Sequence, residues 1–150
     1  VAELKKLAGD NKNIIFTGFI SGDTLGQIYS NSYAVCLPSD LEGMSISLLE
    51  ALSYSNAVLC SDIPENTSVC GDAALTFKKG NVDDLTQKLD FLLKNPQEAK
   101  MLREISAEYV LSRFSWEQTA KKTAELYEEI LKDKKGGNDR CRTKTECGRR

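Results

Sequence analysis

The chain has 150 residues, 41% hydrophobic and 28% charged, the proportions of one globular domain or most of one. Its net charge of −2 combines a basic tail from Lys132 to Arg150, with 8 basic and 3 acidic residues, and an acidic remainder with 12 basic and 19 acidic residues. An acidic body argues against nucleic-acid binding as the main function, and no apolar run nears the roughly 20 residues of a membrane helix.

The elements read in order as follows. Val1 to Ala8 looks like the end of a helix, with Leu4 and Leu7 on one side and Gly9-Asp10-Asn11 as the stop. A start without methionine, in the middle of an element, is expected of a fragment. Ile14-Ile15-Phe16 reads as a short apolar strand leaving through Thr17-Gly18. Ser21 or Asp23 can cap a helix carrying Leu25, Ile28 and Tyr29. Tyr33 to Leu37 is a second strand closed by Pro38, and Ser45 to Ser53 a second helix. Ala57 to Cys60 and Ala73 to Phe77 are further strands, with one helical turn at Pro64 to Val69 between them. Leu85, Leu89, Leu92 and Leu93 form one helical stripe, and Pro96 opens the next helix. Ser115 caps a last helix, with Trp116, Leu126, Tyr127, Ile130 and Leu131 as its apolar contacts. The pattern stops at Leu131, and the polar, glycine-containing segment 132–150 reads as a disordered basic tail.

The five cysteines include no C-x-x-C pair, and the chain has no histidine. Cys36 and Cys60 lie in apolar runs and read as small buried hydrophobes. The pattern argues against zinc, excludes an imidazole base from this chain, and suits a reducing cytosol.

Short apolar strands alternating with helices predict an α/β fold, a Rossmann-like doubly wound parallel sheet followed by a helical segment. Such sheets bind ligands beyond the carboxyl ends of their strands. The loops Gly18-Phe19-Ile20 and Pro38 to Gly43 are expected on that edge. There the stretch EGMSISLLE, Glu42 to Glu50, joins strand to helix. Glu42 precedes a helix N-terminus, where N–H groups and the dipole favour an anion. Glu50 lies among Leu48, Leu49, Ala51 and Leu52, where an unpaired carboxylate is costly to bury. A ligand with a diphosphate and several hydroxyls would use all of these parts. Without further matches, Glu42 is simple dipole placement and Glu50 a solvated helix residue. Lys78-Lys79-Gly80 is a solvated turn or a phosphate approach, and Asp62 a cap or a cleft residue.

EGMSISLLEAL resembles the E-x7-E motif of the retaining GT-B glycosyltransferases, which use nucleotide-sugar donors. The resemblance runs from about Asn13 to Leu131 and takes in SDIPENTSVCGDAALTFKKGNVDDL and RFSWEQTAKKTAELYEEIL. It implies that residues 1–131 are the C-terminal nucleotide-sugar-binding domain of a GT-B enzyme. The backbone at Gly43, Met44, Ser45, Ile46 and Ser47 would hold the donor diphosphate. Glu50 would bind the ribose hydroxyls, Glu42 the donor sugar as the catalytic carboxylate, and Phe19 and Ile20 would border the base. No metal and no cofactor are implied, because protein groups neutralise the diphosphate. The sequence departs from the family at Met44-Ser45, where an aromatic and a glycine are usual, and near Asn56, where a glycine is usual.

Family members also carry an upstream Arg and Lys and an N-terminal acceptor domain, which this chain lacks. The chain alone is therefore expected to be inactive, with that domain as its missing partner. The resemblance implies a cytoplasmic parent enzyme with peripheral membrane association, and an exposed sheet edge invites self-association. The alternative is a non-catalytic module that keeps nucleotide-sugar or partner contacts. A dehydrogenase would need G-x-G-x-x-G after a strand, which is absent.

Overall fold

The computed structural model describes the backbone of residues 1–142 and the side chains of residues 1–132. The chain divides into two units, Val1–Glu108 and Tyr109 onward. In the first, a helix α1 (Ala2–Ala8) and a helix α2 (Gly22–Asn31) precede a parallel sheet of order β1-β2-β3. The strands are β1 (Ala34–Leu37), β2 (Ala57–Ser61) and β3 (Leu75–Phe77). Between β1 and β2 lies α3 (Ile46–Ser53); between β2 and β3 lie α4 (Pro64–Cys70) and a 3-10 turn at Gly71–Ala73. Two helices follow, α5 (Val82–Lys94) and α6 (Pro96–Leu111), and α6 crosses into the second unit.

Local chemistry sets most boundaries. Asn81 caps α5 by accepting from Asp84 N at 2.9 Å. Pro64 and Pro96 occupy first-turn positions, where the missing N–H costs nothing. Gly71 ends α4 at φ 47°, a conformation that favours glycine.

Every residue of β2 is buried, as expected of a central strand covered on both faces. Ala57 and Leu59 pack with Phe77, Leu92, Ala99 and Leu102, so α5 and α6 cover one face. Cys60, on the opposite face by alternation, meets Cys70 of α4 with sulfurs 3.9 Å apart. The hydrogen bond with Cys70, and then burial, push the Cys60 thiol above its usual range. Arg103 of α6 donates to the Ser32 carbonyl and lies over the Tyr33 ring, whose hydroxyl donates to Leu92 O at 2.8 Å. These contacts tie the entry to β1 to the covering helices.

Several expectations change. Ile14–Phe16 is not a strand; it pairs with no described strand, and all three side chains are exposed. A ladder needs a partner, and apolar composition alone does not supply one. Gly18-Phe19-Ile20 is therefore not a strand-end loop. Cys36 is the one exposed residue of β1 and so is not a buried hydrophobe. Near Asn56, where the family usually has a glycine, the left-handed residue is Ser55, at φ 56°. Asn56 is buried and donates from Nδ2 to Ala51 O at 3.1 Å, closing the helix end.

In the second unit, Ser115 caps helix α7 (Trp116–Arg142) by accepting from Gln118 N at 3.2 Å. Trp116 is 86% exposed and so gives the helix no packing. The helix runs past Leu131, where the apolar pattern ends, because its backbone bonds need no apolar stripe. The rest of the expected tail, 143–150, lies outside the described residues.

Candidate functional site

The parallel strands put the loops after β1, β2 and β3 on one edge of the sheet. The loop after β1 carries Glu42, which is half-buried and accepts a hydrogen bond from Ser39 Oγ at 2.7 Å. The Ser39 carbonyl accepts from Ser61 Oγ, at the end of β2. Asn66 Nδ2 of α4 donates to Ser61 Oγ at 3.1 Å and to the Ser61 carbonyl at 3.2 Å. Ser61 of β2 thus reaches the glutamate loop across 22 residues of chain, and Asn66 of α4 holds Ser61.

Gly43 follows in the same loop, and a Cβ there would meet nothing within 4 Å. The fold itself does not require that glycine. Met44 and Ile46 are 59% and 54% exposed, and Ser47 is also exposed. Ser45 is buried as N-cap of α3 and accepts from Leu48 N at 3.4 Å. The earlier N–H groups of the first turn have no intrahelical acceptor, and the residues that carry them, Ile46 and Ser47, are exposed.

Glu50 lies one turn further on and is half-buried. It lines a cleft of about 570 Å³ between α2 and α3, with Gly22, Asp23, Gly26, Tyr29 and Tyr54. Tyr29 and Tyr54 stack with ring centroids 5.5 Å apart and planes 27° apart. Gly26 permits this, since a Cβ there would come within 3.0 Å of the Tyr54 hydroxyl oxygen. Burial first, and the Glu50 carboxylate second, push the Tyr29 phenol above its usual range, while the Ser47 hydroxyl opposes them. Phe19 is 94% exposed and Ile20 half-buried; they directly precede Ser21, the N-cap of α2, and do not line the cleft.

Of the residues expected from sequence, Glu50 alone lines the cleft, while Glu42 and the residues from Gly43 to Ser47 lie in the loop and first turn beside it in sequence. Sequence reasoning passed over Tyr54, Gly26, Ser39, Ser61 and Asn66. Tyr54 could have been found, because it stands four residues after Glu50 on one helix face. Asp62 accepts from Lys79 N at 2.8 Å and Asp84 from Lys78 N at 2.6 Å, so the Lys78-Lys79-Gly80 segment is a tied turn.

A parallel sheet with helices on both faces and a glutamate-bearing helix at its carboxyl edge defines a class of protein. The fold is the Rossmann-like α/β fold of the GT-B glycosyltransferases. It superposes on sucrose-phosphate synthase of Thermosynechococcus elongatus with a TM-score of 0.77 at 22% identity, over 88% of this chain and 34% of that one. Residues 1–109 match the glycosyl transferases group 1 family, and the chain belongs to that family. It is 28% identical over 115 residues to an MMP α-(1→4)-mannosyltransferase of Mycolicibacterium hassiacum, covering 75% of this chain and 28% of that protein. It is 29% identical over 117 residues to O-antigen chain mannosyltransferase B of Escherichia coli, covering 76% of this chain and 30% of that protein. The chain thus spans under a third of the length of either relative. Among the described residues, no helix is long and apolar enough to cross a membrane.

Proposed function

We propose that this chain is the donor-binding domain of a retaining glycosyltransferase that uses a nucleoside diphosphate sugar. One observation carries the reading. A half-buried Glu50 faces a cleft on α3, one turn from an exposed helix start whose cap leaves N–H groups open. The diphosphate sits at Met44 to Ser47, the ribose hydroxyls at Glu50, and the sugar at Glu42. The open space beside Gly43 supports this placement, because a glycine unneeded by the fold fits a close-lying ligand. Phe19 and Ile20 border the base from the approach to α2. Backbone N–H groups neutralise the diphosphate in this reading, so it assigns no metal or cofactor. Two relatives are named mannosyltransferases, which makes a mannosyl donor the first to test.

In the parent protein the sugar passes to an acceptor hydroxyl with its anomeric configuration kept, at a cytoplasmic, peripherally membrane-associated site. The 150-residue chain alone binds donor without transferring sugar. Sugar transfer catalysed by the purified chain would overturn that last point.

The decisive experiment titrates the chain with uridine, guanosine and adenosine diphosphates and repeats the series with Glu50→Ala. Saturable binding that weakens about tenfold in the variant is expected, the scale of losing a charge-assisted hydrogen bond. A folded chain that binds none of the three would favour the second reading, a non-catalytic scaffold with partner contacts only.

A further inference from the structure

Glu42 is half-buried, but the loop that carries it is sparsely packed. Its neighbours Leu41 and Met44 are 79% and 59% exposed, and no regular structure spans the residues between β1 and α3. The bond from Ser39 Oγ at 2.7 Å fixes the carboxylate only if Ser39 is itself fixed. That constraint comes from Ser61, which donates to the Ser39 carbonyl. Ser61 is 1% exposed and Asn66 is fully buried, so water does not compete at either.

The direction of these bonds follows from donor counting. A hydroxyl has one proton to give. The Ser61 carbonyl can only accept, so it must face the NH2 side of Asn66, and this sets the orientation of that amide. The same NH2 group donates to Ser61 Oγ. The Ser61 proton is then left for the Ser39 carbonyl. Asn66 Oδ1 is buried without a hydrogen-bond partner among the described residues. The amide thus keeps an orientation that leaves an acceptor unsatisfied.

We propose that Ser61, oriented by Asn66, is a positioning residue for Glu42: it pins the Ser39 peptide from which the Ser39 hydroxyl aims the carboxylate. The consequence for sugar binding rests on the role given to Glu42 above.

The test uses the 150-residue chain and two readouts. Without ligand, backbone NMR order parameters of Ser39 to Met44 fall from about 0.85 to below about 0.6 in Ser61→Ala, while β2 and α4 keep theirs. Ser61→Thr, which retains the hydroxyl, restores the loop. With GDP-mannose and GDP as probes, Ser61→Ala weakens binding of the sugar-bearing ligand about tenfold and leaves GDP within about twofold. Ser39→Ala, which keeps the carbonyl bonded to Ser61 and removes only the hydroxyl, shows the same split in binding; Ser61→Cys, a near-isosteric weak donor, replaces Ser61→Ala in both readouts if that variant does not fold. Unchanged loop order in a folded Ser61→Ala overturns the proposal, as does equal weakening of both ligands by Ser39→Ala. A loosened loop, with both affinities unmoved by Glu42→Gln and Ser39→Ala, keeps the positioning role and removes Glu42 from the donor sugar.

Discussion

Tyr29 registers the charge of Glu50. Two causes, burial first and the Glu50 carboxylate second, disfavour its phenolate. In Glu50→Gln burial is the one raising cause left, with the Ser47 hydroxyl still opposing it, and the Tyr29 phenol is expected to titrate at lower pH than in the parent chain. An NMR pH titration of the ring carbons, assigned with Tyr29→Phe, reads this directly; an unmoved titration would place the carboxylate away from the ring. The sign for stability follows. A pKa raised in the folded state contributes stability below the unfolded value of about 10, and this is lost as pH climbs through the folded value. The parent chain should therefore lose more stability above pH ~10 than Tyr29→Phe does. At this scale the sequence spoke unevenly. Glu42 and Glu50 stood out because carboxylates flanking a helix start among leucines are chemically odd. Ser61 and Asn66 did not, because serine at a strand end and asparagine in a short helix are ordinary until the fold brings them together. The Ser61 to Ser39 bond spans 22 residues, beyond any local pattern.

Among the elements, α3 ends in a residue poorly suited to its backbone. Ser55 holds φ 56° with a Cβ that opposes it, and Asn56 closes the helix end with its side chain. Ser55→Gly should stabilise the chain by roughly 1 kcal/mol, and Asn56→Ala should destabilise it by about 1 to 2 kcal/mol. Urea unfolding midpoints at constant m-value check both; a Ser55→Gly midpoint at or below the parent's would show that the strain is absent. The helix signals were legible: Ser45, Ser115 and Pro96 sit where the sequence puts them. The strand at Ile14–Phe16 was not legible as absent, because an apolar triplet looks the same with and without a neighbour to pair with. Near Asn56, where a glycine is usual in the family, the left-handed residue is Ser55. Among non-glycine residues asparagine is one of the few that take that conformation readily, and here the Asn56 side chain is committed to Ala51 O.

For the whole molecule, the first question is what the exposed edge does. Within the described residues β1 has one ladder, to β2, and exposed apolar side chains include Leu7 at 78%, Ile15 at 79% and Phe19 at 94%. Open strand edges and apolar surface both favour association. Sedimentation velocity should show an s-value that rises with concentration, and Val35→Lys on β1 should reduce the rise. A rise that persists unchanged in Val35→Lys assigns association to the apolar surface and not to the edge. The central place of β2 carries a kinetic consequence as well. Both ladders close onto this one strand, and each needs a helical crossover before it can form. Chain closure of that kind is the slow step in building parallel sheets, so the transition state for folding should be organised around β2. Truncating Leu59, in the middle of β2 and against Phe77 and Leu92, should then slow folding, whereas truncating Leu102 at the margin of the same cluster should mainly speed unfolding. One buried pentapeptide would thereby set how fast the glutamate loop acquires the strand ends that hold it.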